Sequence, residues 1–341
     1  MGGRNARLAM AHGARLVGFA SAYPKRSVSN SEFLELVSSE PSDGWARIAA
    51  ESGISVRRWC GVDESAATLM SEALVAVAAR YPRELAEVDV VIVASGTTMP
   101  VVQPVSSSNP AAADLAPLAL RQLGLGQALG LDIKACYCTG FLRGLEVADG
   151  LLANPNRRAV LVIAVEQGSR LATADTNRSS FCFMVGDSAG AAILRRASEG
   201  EGTGILDHCG YTDPEKYDWV GIGPDARSII MMGSQAAEAS LAAFVECGRL
   251  LLRRNSLSPA EVQWLLPLQT HRGLVSQIAT ALEWPEDRIL WGASELGFAG
   301  SSSIPACLAD EIHRGTIRSG DLVLALAVGA GLNCAGTLLR V

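Results

Sequence analysis

An α/β protein built from two related halves is the fold class this sequence predicts, and three observations carry it. Short apolar runs such as 88–94 (VDVVIVA) and 159–165 (AVLVIAV) alternate with longer helical patterns, which calls for a layered fold around buried, largely parallel strands. The same alternation recurs in the second half of the chain. The halves also end alike: Gly186-Asp187-Ser188-Ala189-Gly190 leads into AAILRR, and Gly329-Ala330-Gly331 leads through Asn333 into AGTLLR. A period near half the chain marks a duplicated domain rather than a solenoid, whose repeats are far shorter.

Taken in order, the first half predicts a helix over 67–80, a strand over 88–94, a helix over 110–123, a short strand over 131–135, a helix over 141–152 and a strand over 159–165. The second half predicts a long helix over 236–254, then Pro259 and a strand over 262–266. A helix over 273–282, a strand near Ile289, a helix over 302–314 and a strand over 322–328 follow. These assignments rest on apolar periodicity and on Gly and Pro as punctuation. The resulting division is a flexible lead-in over 1–13, an N-terminal half over 14–198 and a C-terminal half over 199–341. No Pro/Ser-rich linker separates the halves, so they are expected to pack as one body.

Apolar residues make up 49% of the 341, charged residues 19%, and there are 34 glycines, a composition suited to an enzyme with a sizeable core. The net charge of −6 excludes a general nucleic-acid binder, because no overall positive field meets the phosphates. The eight cysteines are scattered and the first residues (MGGRNARLAMAH) carry no apolar run, so reduced thiols in the cytoplasm are expected rather than a disulfide framework. Residues 322–339 lack charge, yet Gly329-Ala330-Gly331 divides them; two strands joined at a turn fit better than a membrane span. Gly202-Thr203-Gly204 and Gly221-Ile222-Gly223 precede no helix and read as turns, not phosphate loops. Cys136 and Cys138 have no second pair at ligand spacing, so no metal is expected.

Chemistry concentrates in residues 132–145, DIKACYCTGFLRGL. A buried strand runs into cysteine, and a glycine follows at the start of an amphipathic helix. A thiol at a helix N-terminus feels the positive end of the peptide dipoles, which favours thiolate, and the neighbouring backbone N–H groups suit an oxyanion. The bland alternative is a small buried residue, the commoner fate of a cysteine.

The surrounding motifs resemble those of the β-ketoacyl-acyl carrier protein synthase III family, within the thiolase superfamily, from about Arg15 to Val341. Cys138-Thr139-Gly140-Phe141 resembles its nucleophile signature, with Leu145 and Ala148-Asp149 continuing the match; Gly186-Asp187-Ser188-Ala189-Gly190-Ala191 resembles its glycine turn. Ser303-Ile304-Pro305 with Leu308 and Glu311 is similar to its late helix, and Gly320-Asp321-Leu322-Val323-Leu324 with the Gly329-Ala330-Gly331 loop to its final hairpin. The resemblance implies a thiolase-like five-layered αβαβα fold, a homodimer, and acyl transfer from acyl-CoA or a phosphopantetheinyl acyl-carrier protein, with no tightly bound cofactor. It also points to Trp45 as similar to the family's tryptophan near the coenzyme A adenine, with Arg47 close by. Arg249, Arg253, Arg254 and Arg272 form either a basic face for the acidic carrier protein or an ordinary solvated helix face. Residues 175–178 are placed by resemblance at a tunnel mouth.

The departures matter as much. Where the family has a catalytic histidine after proline, Pro267 is followed by Leu268; where it has a catalytic asparagine, the chain has Phe298. Such donors to a developing oxyanion are worth about 3 kcal/mol each, so a chain lacking both is expected to generate a malonyl-derived carbanion poorly. Capturing an acyl group on sulfur asks for less. His271 then becomes the candidate base, or else a helix-cap residue. Cys136 is a rival nucleophile, with Cys138 favoured by the Thr-Gly-Phe that follows it. Met99, Phe183, Met184 and Met231 either shape a pocket or pack a core. Two functions stay open: an acyltransferase that loads Cys138 and then condenses atypically or acylates an oxygen or nitrogen acceptor, in fatty-acid or polyketide-type metabolism; or a triad-depleted, non-catalytic partner in a ketosynthase heterodimer.

Overall fold

Two mixed sheets and the helices between and outside them carry the architecture. The computed structural model describes residues 13–37, 43–97, 114–134, 137–172, 180–197, 203–222, 229–231 and 233–341. The strands are β1 (Ala14–Ala22), β2 (Arg26–Ser29), β3 (Val56–Trp59), β4 (Val88–Ala94), β5 (Leu129–Ile133), β6 (Ala159–Gln167) and β7 (Asp187–Arg196). They continue as β8 (Gly204–Thr212), β9 (Val220–Ile222), β10 (Ile229–Met231), β11 (Trp264–Pro267), β12 (Leu322–Gly329) and β13 (Asn333–Arg340). One sheet has the order β5-β4-β6-β7-β1, the other β11-β12-β13-β8, and the pairs β2/β3 and β9/β10 stand apart.

The duplication is visible in strand directions. From β4 onward the first sheet runs parallel to β6, then antiparallel to β7 and to β1. From β11 onward the second runs parallel to β12, then antiparallel to β13 and to β8. The place of β5 is taken in the second sheet by Ile289, a single parallel bridge to Leu265, so the strand expected near Ile289 shrinks to one residue.

Helices Gly140–Leu152 and Ser303–His313 pack against both sheets and form the middle layer; Ala66–Arg80 and Ala116–Leu123 cover the first sheet, Gly233–Arg254 covers the second, and Arg272–Ala281 packs against Gly233–Arg254. The five layers follow from burial. β6 and β12 are buried along their whole lengths, which requires helices on both faces. The middle helix Gly140–Leu152 buries Phe141, Leu142, Leu145, Ala148 and Leu152, wider than one stripe because it faces two sheets. Gly144 permits this closeness, since a Cβ there would stand 2.8 Å from Val162 Cγ1. Phe141 and Leu145 join Leu266, Leu324 and Leu326 in one core shared by both halves.

Three expectations need correcting. Gly221 and Ile222 lie in β9 rather than a turn; Gly204 opens β8, while Gly202 and Gly223 lie outside the described residues. The helix expected over 110–123 is described from Ala116, and 98–113 lie outside the described residues. The expectation of wholly reduced thiols fails at one pair, because Cys209 on β8 and Cys247 on the long helix Gly233–Arg254 form a disulfide. The β13–β8 ladder places Cys209 opposite Gly336, where the missing side chain leaves room for the Cys247 sulfur. Among the described residues no helix is long and apolar enough to cross a membrane, and 322–339 form the β12–β13 hairpin.

Candidate active site

Cys138 sits in a single 3₁₀ turn, Tyr137–Thr139, between the first sheet and the middle helix that begins at Gly140. Two close approaches fix the turn. Gly140 brings the helix start against Ala94 and Ser301, where a Cβ would lie 3.2 and 3.3 Å from their Cβ atoms. Tyr137 adopts φ 47°, a left-handed conformation unfavourable for a non-glycine residue. It nests on Gly96, where a Cβ would fall 2.8 Å from the Tyr137 Cα.

The half-buried Cys138 lines a cavity of about 210 Å³, together with Leu268, His271 and Phe298. Cys138 and the three other positions singled out by sequence therefore converge on one space, although they come from different halves. Phe298 is held by the backbone: its N–H donates to Met184 O at 2.7 Å and its carbonyl accepts from Gly186 N–H at 2.8 Å. Its ring meets Phe181 edge to face at 5.4 Å. Leu268 is 2% exposed. An aromatic and an aliphatic surface thus line the cavity at the two positions where the sequence resemblance led to an expectation of polar donors.

Beneath the cavity lies a residue that the sequence reading missed. Glu166, at the end of β6, is buried, and its Oε1 accepts from Gly96 N–H (2.9 Å) and from Ser301 Oγ. Its Oε2 accepts from Thr97 N–H (2.8 Å) and Thr97 Oγ1 (2.6 Å). These bonds tie the first sheet to the turn Gly300–Ser302 of the second half and oppose the burial that raises the Glu166 pKa. A charge closing the run AVLVIAVE was the available signal. Asp187 has a comparable structural task in the glycine motif, accepting from Cys60 N–H at 2.7 Å and Ser169 Oγ at 2.6 Å.

The expected thiolate is not what the electrostatics give. Burial, then the Glu166 carboxylate, push the Cys138 thiol well above its usual range, and the residue's own backbone N–H only partly offsets them. One turn of positive dipole does not outweigh desolvation plus a nearby negative charge.

His271 is the N-cap of the helix Arg272–Ala281, its Nδ1 accepting from Leu274 N–H at 3.1 Å. Burial lowers its pKa, with Glu51 opposing, so the ring is neutral at pH 7. A neutral imidazole with an acceptor Nδ1 carries its proton on Nε2. His271 is therefore the helix-cap residue that the sequence left open beside the base, and its Nε2 is set up as a hydrogen-bond donor. Its neighbour Thr270 also lines the cavity, and Thr270 Oγ1 is buried with no hydrogen-bond partner. Nothing in a lone threonine's sequence context announced this.

The other expected site residues scatter. Trp45 lies in the helix Asp43–Ser52, its side chain outside the described part of the chain, and exposed Arg47 pairs with Glu51 at 3.7 Å. Arg272 bonds Glu286 at 3.0 Å and covers the Trp291 ring at 5.4 Å. Arg249 donates to Ala281 O at 2.9 Å, at the far end of the helix that Arg272 begins, about 14 Å along its axis. Arg254 bonds Asp207, and Arg253 is exposed. They do not form one compact patch. Of the pocket candidates, Met184 lines the cavity, Phe183 packs against Phe33, and Met99 and the Met231 side chain lie outside the described residues. So do Cys136 and residues 173–179. Among the described residues, no group of three or more His, Cys, Asp or Glu is placed to hold a metal ion.

Residues 131–214 match the family model of 3-oxoacyl-[acyl-carrier-protein (ACP)] synthase III, and residues 252–341 match that of its C-terminal part. The chain is 29% identical to a β-ketoacyl-[acyl-carrier-protein] synthase III of Rhodospirillum centenum, covering 95% of this chain and 98% of the relative. It is 30% identical to that of a Ruegeria species, covering 97% and 100%. The crystal structure of 3-oxoacyl-[acyl-carrier-protein] synthase III from Aquifex aeolicus superposes with a TM-score of 0.83 at 25% identity, covering 96% of this chain and all of that one. The priming β-ketosynthase of a polyketide pathway superposes at 0.81 and 25%, covering 96% of each chain.

Proposed function

Because the chain belongs to the 3-oxoacyl-[acyl-carrier-protein] synthase III family of the thiolase superfamily, we propose that it is an acyl-thioester transfer enzyme that carries its acyl group on Cys138. The observation that carries this reading is the position of Cys138, at a strand-to-helix turn and open to the same cavity as Leu268, His271 and Phe298.

In the loading step the Cys138 sulfur attacks the thioester carbonyl of an acyl-CoA or acyl-carrier protein. A C–S bond forms to Cys138, the C–S bond to the donor breaks, and the Cys138 proton leaves on the donor thiol. Backbone N–H groups at the turn suit the transient oxyanion. In the second step the acyl carbon passes to an oxygen, nitrogen or activated carbon acceptor, and the C–S electron pair returns to Cys138 with the acceptor's proton. Leu268 and Phe298 supply no donor to a thioester enolate, which disfavours decarboxylative condensation and supports transfer or an atypical condensation. The halves 14–198 and 199–341 act as one unit in this reading, since Glu166 and Ser301 come from different halves yet meet beside the sulfur. A homodimer is part of the proposal, supported by β5 standing at the sheet edge; cytoplasmic location is also proposed, and the Cys209–Cys247 disulfide weighs against it. Trp45, Arg47, Arg249, Arg253 and Arg272 remain proposed contacts for coenzyme A or the carrier protein.

A second reading, a non-catalytic partner subunit, draws on the same apolar pair and on the raised thiol. Intact-mass measurement after incubation with acyl-CoA and acyl-carrier-protein panels separates the two. An adduct abolished in Cys138→Ala and retained in Cys136→Ala is the expected result, and absence of any adduct favours the partner subunit.

A further inference from the structure

We propose that the Cys209–Cys247 disulfide is a reversible redox site, opened by a dithiol reductant, whose state fixes or frees the helical wall of the cavity. The inference rests on Cys138 as the acyl carrier only where its test reads acyl loading.

The bond joins β8 to the helix Gly233–Arg254, and the two ends of that helix are held differently. Its C-terminal end is pinned to β8 by Asp207: Arg254 Nη2 donates to Oδ1 at 2.6 Å, and the following Asn255 Nδ2 donates to Oδ2 at 2.9 Å. The other half places Ala236, Ala237, Ser240 and Phe244 on the cavity wall. Ser240, Phe244 and Cys247 recur at i, i+4 and i+7, one stripe of a helix. The disulfide therefore clamps the face that forms the wall. Beside it the ties are light. The Cys334 thiol donates to Ala243 O at 3.3 Å and Tyr211 OH to Glu246 Oε2 at 3.4 Å, the first from a weak donor and the second long for a hydroxyl.

Reduction moves the helix because the seat has no slack. A Cβ on Gly336 would fall 2.6 Å from Cys247 Sγ and 2.8 Å from Leu251 Cδ1, so β13 already touches the sulfur. Two thiols cannot keep the separation of a bonded pair, and close packing passes the displacement on to the helix. The pinned end stays, and the half that forms the wall moves away from β13.

The chemistry balances with one partner. A thiolate of the donor attacks one sulfur of the bond, a mixed disulfide forms, and the donor's second thiol resolves it. The donor ends as a disulfide, and Cys209 and Cys247 gain two electrons and two protons. Access is from the sheet edge: β8 is the outermost strand of the second sheet, and residues 210–212, next to Cys209, are exposed. In the cytoplasm proposed above, where lasting disulfides are rare, one that forms is ordinarily catalytic or redox-sensing. Neither sulfur lines the cavity that holds Cys138, which leaves sensing.

The test uses the full chain, reduced under native conditions with dithiothreitol and then desalted so that no reductant competes for the acyl group. A thiol count verifies opening. Hydrogen exchange read by mass spectrometry is expected to quicken roughly tenfold over 233–246 and little over 248–254, and oxidised glutathione to reverse the change. The ratio of octanoyl-CoA to acetyl-CoA loading on Cys138 is expected to rise at least about threefold, because a freed wall opens to a longer chain. The double variant Cys209→Ala with Cys247→Ala is expected to match the reduced protein and to ignore the reductant. A bond that resists dithiothreitol in the folded protein overturns the inference, as does one that opens while exchange over 233–246 or the loading ratio stays unchanged. Exchange that responds to reduction, with no thioester loading in either state, removes the carrier reading and keeps the redox site.

Discussion

The imidazole of His271 takes the backbone N–H of Leu274 on Nδ1 at 3.1 Å, and that single bond decides which way its other nitrogen faces chemically. If His271 acts as a donor, His271→Asn keeps a good N-cap and removes the imidazole, whereas His271→Ala also loses the cap, at about 1 kcal/mol. Both variants are expected to slow acyl transfer by a similar factor at every pH, with the shape of the pH–rate profile unchanged. A profile that loses an ionisation below pH 7 in both variants would show the ring acting as a base. Urea unfolding checks the cap.

Cys138 should behave as a protonated thiol. Its pKa is raised by burial and by Glu166, so the thiolate fraction grows tenfold per pH unit across the neutral range. Iodoacetamide labelling, read by mass with Cys138→Ala as control, is expected to accelerate steadily from pH 7 to pH 9 without levelling. A plateau near pH 7 would mean an activated thiolate.

Restoring the polar pair makes a third prediction. The double variant Leu268→His with Phe298→Asn is expected to load acyl groups at least about tenfold faster at pH 7, a bound set below the roughly hundredfold at which general-base assistance ordinarily starts. It should lose roughly 1–3 kcal/mol of stability, because polar groups replace packed apolar walls. Stopped-flow loading and chemical denaturation give both numbers.

The layered fold was legible because its signals are local. The apolar runs that became β4, β6 and β12 needed helices on both faces, and the Gly329–Gly331 break told a hairpin from a membrane span. β1 was not anticipated: in ARLVGFASA small residues and a glycine dilute the apolar pattern, and its burial comes from pairing with β7, far along the chain. At the site, Cys138, Leu268 and Phe298 were readable as motif positions, and all three line one cavity. The protonation of the cysteine was not readable, since it depends on Glu166 reaching the sulfur's surroundings from another strand. His271 lines the same cavity and is the helix cap that the sequence left open beside a base, a choice the sequence could not make because it turns on one hydrogen-bond direction.

Stability should fall on mild acidification. His208 has a pKa lowered from 6.5, chiefly by burial and against the pull of Asp149, and its Nδ1 pairs with Thr337 Oγ1 at 3.0 Å. Below 6.5 the unfolded chain binds a proton that the folded chain resists, so stability drops as pH falls from about 6.5 to the folded value, then levels. Denaturation at pH 7.5 and 5.5 is expected to show this loss, and His208→Gln to reduce it.

The Cys209–Cys247 disulfide closes a loop of 38 residues, for which chain entropy gives about 4 kcal/mol. Unfolding with and without reductant, alongside a thiol count, is expected to show a difference of that order. Equal stability would show that the native packing holds those elements without the bond.

Tyr137 and Gly96 leave a constraint on how this chain can change over generations. The reactive turn is seated on a position that tolerates no side chain, and the residue seated there holds a backbone angle that most amino acids avoid. Substituting at 96 would unseat the sulfur without touching it, so drift at one position is licensed only by compensation at the other. Libraries aimed at new acceptors should therefore vary 96 and 137 together or leave both alone.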